Sequence, residues 1–227
     1  MISEADHQRI MAAVAEAEAK TSGDIICVMT GEVSKYREVP LGYAALLAIA
    51  GPPIAFALGL KPTLLQDAIT TGWTANVGAP SDLGLVAGVY GVAQAVIFGL
   101  GLLVFSFAPV RRFLTPTSLK KHRVHRAAWA QFAATGLHLE PGRTGVLIFA
   151  STDDRVVEVL AEEDIHKAVG TKVWDAAVAA VQAGMKAGKP ADGFIKAVEL
   201  CGAALAEHFP PGDGPKASNL PDRLVEL

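Results

Sequence analysis

The chain has 227 residues, a formal net charge of −3 and only 19% charged residues, which argues against a general nucleic-acid binder because such proteins carry a basic face that neutralises phosphates. Its two cysteines, Cys27 in an apolar strand-like run and Cys201 on an amphipathic helix, have the setting of small buried hydrophobes. The first residues lack a basic segment followed by an apolar one, so no cleaved signal peptide is expected.

Ser3, with Asp6 three residues on, resembles a capping box. Ile10, Val14 and Ala17 then recur at helical spacing, so an amphipathic helix is expected to run as far as Gly23. Residues 24–29, Asp-Ile-Ile-Cys-Val-Met, are too few for a helix and suit a buried strand.

Residues 41–60 and 83–108 contain no Asp, Glu, Lys or Arg. About 20 such residues cross the hydrocarbon core of a bilayer, so two transmembrane helices are expected. Pro52 and Pro53 should kink the first helix. Gly84 and Gly88 in the second have the small-xxx-small spacing that permits close helix approach, which is also ordinary glycine enrichment of membrane helices. The connection at 61–82 carries Lys61, Asp67 and Asp82 as its only charges and Trp73 as a headgroup-level anchor.

Arg111, Arg112, Lys120, Lys121, Arg123 and Arg126 fall within 16 residues that contain no acid. Such an excess beside a membrane helix marks the cytoplasmic side, which places both termini in the cytoplasm of a two-pass inner-membrane protein. The same cations would also meet anionic lipid headgroups. Val124, Ala128 and Phe132 next mark one face of a helix capped by Gly136. Two strands follow, residues 146–150 and 156–160, joined by Ser151-Thr-Asp-Asp-Arg155. Two more helical stripes complete the pattern, Trp174, Ala177, Val178, Val181 and Met185, then Phe194, Val198, Cys201 and Leu205, separated at Lys189-Pro190.

This order of elements resembles the TPM domain, a family that includes a thylakoid-lumen protein linked to photosystem repair and auxiliary proteins of acetylcholine receptors. The resemblance covers residues 3–38 and 120–209. It is carried by Thr21-Ser-Gly-Asp-Ile25, Thr144-Gly-Val-Leu-Ile-Phe149 and Asp154-Arg155-Val-Val-Glu-Val159, with Ile165-His166, Trp174 and Ala191-Asp-Gly-Phe194 similar to the membrane-anchored bacterial branch. It implies an α/β class fold: a TPM-like α/β/α sandwich with a mixed sheet, interrupted by a two-helix transmembrane hairpin. The expected division is 1–38 and 111–209 for the domain, 39–110 for the hairpin and 210–227 for a disordered tail. For some members the family implies calcium binding or weak acid phosphatase activity. Many members place a Gly-x-Gly-x-Glu turn after the second strand, where this chain has Leu160-Ala-Glu-Glu-Asp164.

One acidic group stands out: Asp153 and Asp154 between the strands, with Glu162, Glu163 and Asp164 after the second. If they share one sheet end they would supply the oxygens that calcium or magnesium needs, with Asp24 joining if it lies there too. Alternatively the first pair are turn residues and the later acids open a short helix. His122 and His125 sit among Lys121, Arg123 and Arg126, whose charge disfavours a cation, so interfacial histidines are expected. His166 beside Asp164 would serve as a general base only with a nucleophile, and no motif places one. The expected function is an accessory or interaction role in maintaining a membrane complex, with the bilayer and a membrane or cytoplasmic protein as partners. A metal-dependent acid phosphatase and an anionic-lipid-binding module are the alternatives.

Overall fold

A computed structural model describes residues 2–59, 83–136, 144–211 and 224–226. The chain divides into two compact units, one made of Met1–Ser34 with Thr117–Leu227 and the other of Lys35–Pro116. The divisions fall at 34/35 and 116/117, a few residues from the expected 38/39 and 110/111.

The first unit opens with helix α1 (Glu4–Glu18), whose Ser3 cap accepts the Asp6 N–H at 3.1 Å. Capping satisfies a backbone donor that the first turn otherwise leaves without a partner. Strand β1 (Asp24–Thr30) follows. After the second unit come helix α5 (Thr117–Thr135), strands β2 (Gly145–Ser151) and β3 (Val156–Ala161), helices α6 (Glu163–Val169), α7 (Thr171–Lys186) and α8 (Pro190–His208), and the short strand β4 (Leu224–Glu226). The labels α2 to α4 belong to the second unit, below.

Among the described residues the sheet order is β3-β2-β1-β4, with β1 parallel to β2 and β4 and β3 antiparallel to β2. The coarse expectation of an α/β fold with a mixed sheet is therefore met. Residues 224–226, among the last few of the tail expected over 210–227, form the strand β4. The open edge of β1 presents backbone donors and acceptors, and Leu224-Val225-Glu226 pairs with it at three positions. Residues 212–223 lie outside the described residues.

Side chains alternate across the sheet, as pleating requires. Ile25, Cys27 and Met29 of β1 with Val146, Ile148 and Ala150 of β2 face one layer, where Ile10 and Val14 of α1, Trp174 and Val181 of α7, and Phe194, Val198 and Leu205 of α8 cover them. Ile26, Val28, Leu147 and Phe149 face the other, where Val124, Ala128 and Phe132 of α5 cover them. β1 and β2 are buried on both faces, which is why they read as continuous apolar runs.

The second unit holds α2 (Glu38–Ala57), α3 (Leu83–Ser106) and α4 (Ala108–Leu114). Of the described helices, α2 alone is long and apolar enough to cross a membrane over Glu38–Ala55, and α3 with α4 passes as a bent pair. The bend is 93° at Phe107. Pro109 accounts for it: a continuous helix would need its N–H for the carbonyl of Phe105, and proline has none. The second apolar run therefore ends at Ser106 as a straight element.

α2 and α3 run antiparallel, with Tyr43 edge-on to Phe105 at 6.1 Å between ring centres and a seam of Ala44 and Gly101. A Cβ on Gly101 would lie 3.5 Å from that of Ala44, whereas one on Gly88, Gly91 or Gly99 would meet nothing within 4 Å. The close approach is made at Gly101 and not at Gly88. α2 continues unbroken through Pro52 and Pro53. Pro52 supplies no N–H for the Ala48 carbonyl, and the Gln94 amide of α3 donates to that oxygen instead, at 3.3 Å. We expect Gln94→Leu to leave this carbonyl without a donor and weaken the α2/α3 pair by about 1 kcal/mol. The check is steric-trap or denaturant unfolding of the second unit, and an unchanged stability would remove Gln94 from its account.

Candidate functional site

The chemistry-bearing residues gather at the two ends of the sheet. At the end where β1 and β2 begin, the Thr21-Ser-Gly-Asp24 segment is a junction of backbone and hydroxyl groups. The Thr21 hydroxyl donates to the Phe209 carbonyl at 2.6 Å and accepts the Gly23 N–H at 3.1 Å. The Ser22 N–H reaches the same Phe209 carbonyl at 3.1 Å, and the Asp24 N–H donates to the Thr144 carbonyl at 3.1 Å. The Thr144 hydroxyl donates to the Ser22 carbonyl at 3.2 Å. Gly23 has no room for a side chain, since a Cβ there would stand 2.9 Å from the Thr144 oxygen and 3.2 Å from Leu205. Glu18 and Asp24 are buried beside this knot, and a Glu18 carboxylate oxygen accepts the Ile25 N–H at 2.7 Å. This motif thus ties the ends of α1 and α8 to the start of the sheet.

At the other end, where β1 and β2 finish, Ser151 and Asp154 hold the β2–β3 turn against the residues that leave β1. The Ser151 hydroxyl lies 2.7 Å from the Gly31 carbonyl and 2.9 Å from Asp154 Oδ2, so its one proton serves either acceptor. The same Oδ2 accepts the Val33 N–H at 3.2 Å. The N–H groups of Thr152 and Asp153 donate to the Thr30 and Gly31 carbonyls at 2.9 and 3.2 Å. Arg155 completes the turn with φ 55°, a left-handed conformation that costs a residue with a Cβ roughly 1–2 kcal/mol.

The five acids do not form one group. Ser151 pairs with Val156 at one end of the β2–β3 hairpin and Val146 pairs with Ala161 at the other. Asp153 and Asp154 lie beyond the first pair and Glu162, Glu163 and Asp164 beyond the second, about 17 Å apart along the strand. Asp24, opposite Gly145, lies at the end away from Asp153 and Asp154. Among the described residues no three His, Cys, Asp or Glu side chains are gathered as a cation site. Asp154 is a buried turn residue, while Glu163 and Asp164 open α6, where Glu163 pairs with Lys167 at 2.6 Å. The Lys167 hydrogen bond holds the Glu163 carboxyl below the ordinary glutamate value.

We expect Asp154→Ala to cost about 1–2 kcal/mol, because the Val33 N–H loses its acceptor and the Ser151 hydroxyl keeps only the Gly31 carbonyl. Thermal melts with millimolar calcium or magnesium and with chelator should show the same loss. A loss confined to the metal-containing melts would restore a ligand role for Asp154.

His122 and His166 are exposed. His125 faces Glu158 of β3 at 3.5 Å and stands edge-on to Trp129, a pair that the sequence reading missed although Glu158 interrupts the apolar face of β3 toward α5. Arg112, Lys121 and Arg126 are exposed, Arg111, Lys120 and Arg123 are half-buried, and Trp73 lies outside the described residues. Burial raises both thiols, Cys27 most and Cys201 to about 12, so neither is an ionised nucleophile at neutral pH.

No family model and no curated protein matches the sequence. Among solved structures, the NMR structure of the BA42 protein from the psychrophilic bacterium Bizionia argentinensis is similar, with a TM-score of 0.55 over 100% of this chain and 96% of that one. The two sequences are 15% identical, so the shared property is the α/β fold.

Proposed function

We propose that this is a two-pass integral protein of the inner membrane in which α2 and α3 form a transmembrane hairpin inserted into a TPM-like α/β/α sandwich. The sandwich and both termini lie in the cytoplasm, and its role is accessory: it contacts a membrane or cytoplasmic protein and helps maintain a membrane complex. The observation that carries this reading is the apolar surface of the second unit. Ile49, Leu100 and Phe113 are 67%, 59% and 89% exposed, and Leu46, Ile54, Val92, Val96 and Leu103 are exposed with them, large apolar side chains of the kind that a bilayer would cover. The 93° turn before Arg111 and Arg112 suits a chain that leaves the hydrocarbon and lies along anionic headgroups.

The accessory role draws support from the dispersal of the acids and the two raised thiols. A metal-dependent phosphatase would need its carboxylates at one place. Single cysteines in a background without Cys27 and Cys201 test the topology. An impermeant thiol reagent applied from outside should label residues 61–82 and no others, and external labelling at Lys121 would overturn the orientation. Crosslinking in the native membrane, read by mass spectrometry, tests the role, and recovery of no stoichiometric protein partner would refute it.

A further inference from the structure

Large apolar side chains that stand in the open are divided unevenly along the chain. Among the described residues, those from Leu41 to Phe113 all belong to the second unit, and Trp129 of α5, 49% exposed, is the one that belongs to the first. Its neighbours on the outward face of that helix are cations and histidines. Lys121, His122, His125 and Arg126 are exposed, with Lys121, His125 and Trp129 on one i, i+4 row and His122 and Arg126 on the next. The indole is braced from below, since it stands edge-on to the buried Phe132 at 5.6 Å between ring centres and edge-on to His125 at 6.4 Å. No Asp or Glu occurs in α5, whereas in the remainder of the first unit acids outnumber Lys and Arg by nearly two to one.

We propose that the outward face of α5 lies on the anionic headgroups of the bilayer, with Trp129 seated among them and Lys121 and Arg126 against their phosphates. It rests on the membrane reading above and adds which side of the sandwich meets the lipid. Charge selects the side: a surface of negative potential attracts the α5 face and repels the acidic remainder of the unit, so one orientation is favoured over the others. Trp129 selects the depth, because an indole has an apolar body and an N–H donor, the combination that suits the headgroup layer. Only Thr115 and Pro116 separate α5 from α4 in the chain, so this cationic face follows directly on Arg111 and Arg112. An acidic protein surface is the competing occupant, and the test separates the two.

The test uses the full chain in lipid nanodiscs, where the tryptophan emission that disappears in Trp129→Phe reports Trp129. A nitroxide carried on the lipid headgroup quenches indoles that reach it. In discs with about 30 mol% phosphatidylglycerol at about 50 mM salt, the Trp129 emission is expected to fall at least two-fold. In phosphatidylcholine discs, or at about 500 mM salt, where the screening length shortens to about 4 Å, it is expected to stay bright. Lys121→Glu with Arg126→Glu should abolish the quenching, and Lys172→Glu with Lys186→Glu, the same change of charge at exposed positions of α7, should leave it in place. Quenching that is equal in the two lipids, or lost equally in both charge variants, would overturn the proposal. So would Trp129 emission that stays bright in the native chain embedded in anionic discs, a result that needs no variant to fold and that leaves the face to an acidic protein. A chain that enters no disc, read by size-exclusion of the discs, defeats the membrane reading itself and this inference with it.

Discussion

Replacing residues 35–116 with a Gly/Ser linker is expected to yield a soluble protein that unfolds in one cooperative transition, whereas residues 117–227 alone are expected to aggregate. Both expectations rest on β1. It lies between β2 and β4 in the sheet and carries Ile25, Cys27 and Met29 into one core layer and Ile26 and Val28 into the other. Without residues 1–34, β2 becomes an open edge, Val146 and Ile148 lose the cover that β1 and α1 provide, and β4 loses its strand neighbour among the described residues. Apolar side chains each contribute about 1.5–3 kcal/mol on burial, and seven of them (Ile10, Val14, Ile25, Ile26, Cys27, Val28 and Met29) leave with the segment. That loss is of the order of the whole stability of a domain. Light scattering and near-ultraviolet circular dichroism of the two proteins provide the check. A monomeric 117–227 fragment that melts with the linked protein would show that residues 1–34 are an independent appendage.

The second large effect is expected from a single methyl group. Gly184 of α7 sits against the start of α8, and a Cβ built on it would lie 2.7 Å from the Gly193 Cα, 2.8 Å from the Gly193 nitrogen and 2.8 Å from the Lys189 carbonyl. All three are backbone atoms, so no rotamer change relieves the contact and the α7–α8 corner itself has to open. Gly184→Ala should therefore cost about 3 kcal/mol and lower the melting temperature by about 10 °C. Gly31→Ala is the matched control, because its Cβ would meet only the Asp153 carboxylate at an ordinary 3.8 Å. A melting temperature for Gly184→Ala within a degree of that for Gly31→Ala would show that the corner is looser than this packing implies.

Much of the fold was legible because it is written in local periodicity. The stripe Val124, Ala128, Phe132 is the buried face of α5, and Ile10, Val14 and Ala17 are buried on α1, since 3.6-residue spacing and burial are one geometric fact on a helix. The run at 146–150 is a strand buried on both faces, as its lack of alternation implied. What local pattern could not convey was which distant segments meet. That Gly101 and not Gly88 faces Ala44 depends on the register of two helices, and so does the meeting of Gln94 with the carbonyl left open by Pro52. A three-residue strand such as 224–226 is too short for any period to show.

The acidic group is a different case. Its separation was already contained in the reading of residues 146–150 and 156–160 as a hairpin, because residues that precede and follow the same strand stand a strand's length apart. The roles of Thr21, Ser22 and Gly23 were hidden for another reason: their partners Thr144 and Phe209 lie more than a hundred residues away in the chain.

The parallel register of β1 and β2 also sets a timetable for the ribosome. Asp24 pairs with Gly145, so 121 residues of synthesis separate the first strand from its neighbour. At ordinary elongation rates of about 5–20 residues per second that is roughly 6–24 s. Throughout that interval Ile25, Ile26 and Val28 have left the exit tunnel with no strand to pair with. The amino-terminal helix and strand therefore cannot form a finished folding unit ahead of the rest, contrary to the common order in which domains mature as they emerge. α2 and α3 are completed first, and the nascent chain reaches its native sheet only when its last third has been translated.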